Sequence, residues 1–180
     1  MTTTPDDILD FWTQAGAKRW FAKDPAFDAT IRDRFETDHH AAARGEHDAW
    51  AATANGALAL LLLLDQAPRN LYRGSAHAFA TDPKARAVAR AAAEQGWHLA
   101  VAPAMRQFML LPFEHSESLA DQDAGLTRAA ETGDAEILKW MRIHRDIIVR
   151  FGRFPHRNRA LGRATTVEEQ AFLDEGGFRG

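Results

Sequence analysis

Cysteine is absent from the 180 residues. That absence excludes a disulfide framework, a thiolate zinc site, an iron–sulfur cluster and a thiol nucleophile, and with them several large enzyme classes. Lysine is scarce too, 4 residues against 18 arginines, and the net charge of −3 makes nucleic acid an unexpected partner. The arginine excess accompanies 35 alanines, so it reflects codon composition as much as any binding role. Long apolar runs are also missing. The longest, Ala57 to Leu64, has eight residues, against the about 20 a membrane-spanning helix requires, so it reads as core and no membrane partner is expected. The acidic, polar stretch Met1 to Asp7 lacks the basic-then-apolar pattern of a secretory signal, so a cytoplasmic location is expected. No Walker A loop, Gly-x-Gly-x-x-Gly fingerprint or His-Glu-x-x-His pair occurs, and no cofactor and no metal is assigned.

What the chain does have is helix-forming composition. Alanine, leucine and arginine dominate and β-branched residues are few, so the expected fold is all-α, one domain over residues 1–180 with about eight helices. Pro5 with Asp6 and Asp7 suits a first helical turn leading into Ile8, Leu9, Phe11 and Trp12, with a stop near Gly16. Asp24 before Pro25 caps a second helix that runs to Gly45. The segment Trp50 to Gln66 is apolar on nearly every side and is expected to be the central helix, stopped by Pro68. Further helices are expected from Thr81 or Asp82 to Gln95, from Pro103 to a break or kink at Pro112, from Ser118 to Gly133, and from Asp134 to Phe151. Thr166 with Glu169 forms a capping box for the last helix, and residues 175–180, rich in glycine, are expected to fray.

Four motifs stand out in order along the chain. They are Leu64-Asp65-Gln66-x-Pro68-Arg69-Asn70 with Arg73-Gly74; Ala78-Phe79-Ala80-x-Asp82-Pro83; Leu111-Pro112-Phe113-Glu114-His115-Ser116-Glu117; and Arg150 through Asn158. This set resembles the bacterial family known as domain of unknown function 924. The resemblance implies an all-helical fold of antiparallel helix pairs similar to a tetratricopeptide-like stack, and it implies no established reaction. Ala67 departs from the large apolar residue, usually Phe, that the resemblance leads one to expect between Gln66 and Pro68.

Charge is unevenly spread. From Arg142 to Arg163 there are seven arginines and one acid, and from Glu114 to Glu136 seven acids and one base. The two blocks can pair with each other, since guanidinium and carboxylate form planar bidentate pairs that fix how elements meet. Alternatively, Arg69, Asn70, Arg73, Arg153, Arg157 and Asn158, all on turns after helices, gather into an anion site. Glu114, His115 and Glu117, with His144 and His156, are the candidates for proton transfer. His144 lies in an apolar stripe and requires a partner, whereas His39, His40 and His47 read as surface. Ser116 sits between His115 and Glu117, but neighbours in sequence rarely converge as a triad and no nucleophile elbow is present. The single Glu-x-x-His unit, Glu36 to His39, falls short of the two that a di-iron bundle needs.

Two functions follow from these features. The first is binding of a small carboxylated or phosphorylated molecule at the Arg/Asn/His/Glu cluster, with acid–base catalysis as the reaction class if chemistry occurs. The second is a tetratricopeptide-like scaffold for a protein or peptide partner, in which the Arg/Glu cluster is a structural ion-pair network.

Overall fold

In the computed structural model, which describes residues 3–179, helices occupy all eight expected segments; Thr4, Asp24, Asp134 and Thr166 cap their helices through side-chain bonds, whereas Ser118, expected to cap the helix Leu119–Thr132, makes no such bond. α1 (Pro5–Ala15) starts at a Thr4/Asp7 capping box. A four-residue turn, α2 (Ala17–Trp20), leads to α3 (Pro25–Arg44), where Asp24 accepts the N–H groups of Ala26 and Phe27. α4 (Ala54–Leu61) and α5 (Ala67–Leu71) flank a π-helical turn, Leu62–Gln66. α6 (Asp82–Glu94), the short α7 (Trp97–Ala100) and α8 (Arg106–Glu114) follow. α9 (Leu119–Thr132), α10 (Ala135–Phe151) and α11 (Val167–Asp174) complete a single all-α domain; among the described residues there is no strand. No helix among the described residues is long and apolar enough to cross a membrane.

The central segment departs from expectation at both ends. The backbone is extended at Thr53, whose hydroxyl caps α4, so Trp50 lies in a separate 3₁₀ turn, Asp48–Ala52, outside the central helix. Nor does Pro68 stop the helix. The N–H of Ala67 reaches back five residues to Leu62 O, which widens the turn and lets the chain continue through Pro68 to Leu71. This arrangement leaves two carbonyls without their usual helical donors. Leu63 O loses the Ala67 N–H, and Leu64 O faces a proline that has none.

Both are satisfied from other helices. His39 Nδ1 donates to Leu63 O at 2.8 Å, and Thr81 Oγ1 donates to Leu64 O at 2.5 Å. His39 is therefore buried, not on the surface as its polar neighbourhood suggests. Arg69 Nη1 adds a third side-chain bond, to Asp65 O at 2.6 Å.

Around this segment the core is continuous. α4 packs against α1, α6 and α8, α5 packs against α3, and α9 lies between α8 and α10. Gly125 lets α9 approach α8 closely, because a Cβ there would sit 2.6 Å from Phe113 Cβ. The approach sets α10 beside the end of α8, where Glu114 and His115 lie. Pro112 is accommodated inside α8 without ending it. A second, smaller apolar cluster of Ile147, Ile148 and Phe154 anchors the turn after α10 against α11.

Thr81→Val keeps the shape of the side chain and orphans Leu64 O. Urea unfolding should show a loss of about 1–3 kcal/mol, with Thr81→Ser recovering most of it; an unchanged midpoint would mean that the π turn does not depend on this bond.

Candidate functional site

The π turn aims Asp65 at α8, and Arg69 and His115 gather around its carboxylate. Asp65 is 1% exposed. Its two oxygens lie 3.0 and 2.9 Å from His115 Nδ1, and Arg69 Nη1 is 3.2 Å from Oδ1. Burial opposes ionisation of Asp65, but Arg69 and His115 beside it hold the carboxyl below its usual range. The carboxylate thus accepts the Nδ1 proton of His115 and leaves Nε2 as the basic atom.

Arg69 is fully engaged. Besides Asp65 it forms a bidentate pair with Asp82, 3.1 and 3.2 Å, at the first turn of α6. Arg157 is not. It is 5% exposed, its nearest carboxylate is Asp82 at 3.6 Å, and its buried Nε has no partner among the described residues. Its Cζ lies 4.6 Å from the ring centres of both Phe79 and Phe154, within cation–π distance of each. Burial, and the like charge of Arg69, lower its pKa to about 10, leaving it a cation at neutral pH.

Three histidines complete the cluster, all kept neutral. Burial is the first cause for each. His115 is lowered to about 4 with help from Arg69, His144 to about 4 against a hydrogen bond to Trp140 O, and His156 to about 3 with Arg157 adjoining. Glu114 moves the other way. Burial and the charge of Asp65 raise it to about 8, so it carries a proton at neutral pH. His144 Nδ1 donates to Trp140 O at 2.9 Å and lies 3.2 Å from Glu114 Oε1, a contact between neutral groups rather than an ion pair.

These groups line a cavity of about 700 Å³. Arg69, Glu114, His115, His144, His156 and Arg157 form its polar side, and Trp20, Phe21, Phe79, Leu111, Trp140 and Phe178 form much of the apolar side. Among the described residues no group of three or more His, Asp or Glu side chains is placed to hold a metal ion.

Residues 8–177 match the model of a family described as a bacterial protein of unknown function (DUF924). The chain belongs to this family. A solved structure, that of the protein of unknown function ATU0120 from Agrobacterium tumefaciens, superposes with a TM-score of 0.91 at 49% identity. The match covers 96% of this chain and 97% of that one. No curated protein matches the chain.

Of the residues singled out in the sequence, the DUF924 fold brings Arg69, Arg73, Glu114, His115, His144, His156 and Arg157 to one cavity. It does not bring Asn70, Arg153, Asn158 or Glu117 there. Asn70 donates to Asp28, and Arg73, although it lines the cavity, is paired with the same Asp28. Arg153 and Asn158 both bond Glu169 on α11, and Glu117 accepts two bonds from Arg163 and one from the Phe154 N–H. Those side chains tie the turn after α10 to its neighbours, the network role that charge clustering also allows.

Sequence reasoning missed Asp65, Asp82, Phe79 and Phe178. Asp65 and Asp82 do stand in the proline-containing motifs, but their convergence depends on a π turn that periodicity does not reveal. The described part of the tail makes contacts. Gly177 N–H bonds Phe172 O, and Phe178 sits edge-on to His144 with ring centres 4.4 Å apart.

The shifted groups make stability depend on pH in two directions. The histidines bind protons more readily when unfolded, so their contribution is full above pH 6.5 and is lost as pH falls toward about 4. The contribution of Glu114 is full below pH 4.5 and is lost as pH rises through about 8. Glu114→Gln should therefore raise the thermal midpoint relative to wild type at about pH 9 and lose that advantage at about pH 5. A difference that does not vary with pH would show that Glu114 is ionised throughout.

Proposed function

We propose that this DUF924 protein binds a small anionic molecule, carboxylated or phosphorylated, in the cavity between the π turn, α8 and α10, and acts on it by proton transfer. The observation that carries this reading is Arg157: an interior guanidinium in contact with two aromatic rings, with no hydrogen-bond partner among the described residues and its nearest carboxylate 3.6 Å away. A buried cation without good partners is destabilising in the free protein. An anion that reaches it recovers hydrogen bonds and charge pairing together.

The neighbouring groups suit acid–base work. His115, oriented by Asp65, presents a neutral imidazole with a defined tautomer and a free Nε2 lone pair. Glu114 is a proton donor at neutral pH because of its burial. A neutral base and a protonated acid on consecutive residues can move protons to and from one bound molecule. A scaffold for peptides, with tetratricopeptide-like stacking of helix pairs, has less support, because these groups face a cavity with the dimensions of a small-molecule site.

Arg157→Met preserves an apolar stem between Phe79 and Phe154 and removes the charge. Thermal-shift measurements on the unliganded protein should show the variant at least as stable as wild type, while shifts produced by anionic metabolites in a library screen vanish. A variant destabilised by about 3 kcal/mol or more, or a library in which no anion stabilises wild type, would instead assign Arg157 to a structural ion-pair network.

A further inference from the structure

We infer that the cavity's ligand is a monocarboxylate carried on an aromatic or alkyl body, with the carboxylate on Arg157 and the body against Trp20, Phe21, Trp140 and Phe178. This rests on the anion-binding reading above and adds the chemical class of the ligand.

Charge is the first argument. Two guanidinium groups, Arg69 and Arg157, stand with two carboxylates, Asp65 and Asp82, on the polar side. These four charges sum to zero, so what Arg157 offers a ligand is its open hydrogen-bond donors rather than an excess charge. A monoanion reaches those donors while adding a single negative charge. A phosphate dianion would bring a second one close to Asp65 and Asp82, where like charges repel.

Shape is the second. Phe79 and Phe154 each lie 4.6 Å from the Arg157 Cζ, and the guanidinium makes no hydrogen bond among the described residues, so its N–H groups are what it presents to a ligand. A planar carboxylate places two oxygens against two guanidinium N–H groups in the matching fork geometry.

The third argument is the wall opposite. Phe21 is 54% exposed and Trp140 is 43% exposed, yet both line the cavity together with Phe178 and the buried Trp20. Large aromatic surface left open to water beside a polar pocket is the kind of area that a ligand's apolar portion covers. Such a surface gives acetate or another bare anion little to hold.

Calorimetric titration of the full chain separates these terms. The probes are phenylacetate, phenylpropionate and octanoate, set against acetate, phenylacetamide and phenyl phosphate. Phenylpropionate and octanoate should bind wild type, with phenylacetamide weaker than phenylacetate by about tenfold or more. Arg157→Met should abolish that discrimination. Trp140→Ala, at the exposed mouth, should weaken phenylpropionate about three- to tenfold and so tests the body's placement even if the Arg157 variant does not fold. Phenyl phosphate binding more tightly than the carboxylates would overturn the ligand class and leave the anion site standing. Equal binding of phenylacetate and phenylacetamide would overturn recognition of the charge by Arg157, and an unchanged Trp140→Ala affinity would overturn the apolar wall. Failure of every carboxylate would overturn the class alone if the metabolite screen still yields an Arg157-dependent anion, and both readings if it yields none.

Discussion

A single buried carboxylate organises the interior. Asp65 lies on a π turn within an otherwise apolar helical run, and an ionised group at 1% exposure persists only with close partners. Arg69, one turn further along, and His115, at the end of α8, supply them. Arg69 in turn reaches Asp82, so one network joins the central segment to α6 and α8. The backbone is drawn into the same arrangement. Leu63 O, which the π turn deprives of its helical donor, and Leu64 O, which faces Pro68, are bonded by His39 from α3 and Thr81 at the start of α6. A regular helix would return Leu63 O to the Ala67 N–H and would rotate Asp65 relative to His115.

The protonation states follow from this closure. These side chains are buried by the packed helices, so a charged form is favoured where an opposite charge compensates for lost hydration. Asp65 and Arg69 meet that condition mutually. His115, His144 and His156 do not, and they stay neutral; Glu114, with Asp65 nearby, keeps its proton. Arg157 is the exception, an interior cation stabilised mainly by aromatic faces. The contrast with the same turn is in carboxylate pairing: Arg153 and Arg163 each donate two bonds to a glutamate, whereas the nearest carboxylate to Arg157 stands 3.6 Å away.

Much of the fold was legible from the chain alone. Proline at first turns, Asp24, Asp134 and Thr166 at helix starts, and glycines after α3, α9 and α10 are local signals, and the structure obeys them. The candidate site was legible in part. His115, His144, Glu114 and Arg157 could be singled out as unusual residue types in apolar or turn contexts, but Arg153, Asn158 and Glu117 carried the same signature and serve the packing of α11 and the turn after α10. Residue type and turn position do not distinguish a guanidinium that has a carboxylate partner from one that lacks it.

Composition and periodicity determined the helical class, the helix starts and the apolar central segment, because these depend on contacts within a few residues. Which arginine remained uncommitted, where Pro68 let the helix continue, and how far each histidine and Glu114 moved from its ordinary pKa were decided only when distant helices closed over one another. Desolvation and partner distance are properties of that closure, and residues as far apart as Asp65 and His115, or Phe178 and His144, acquire them together.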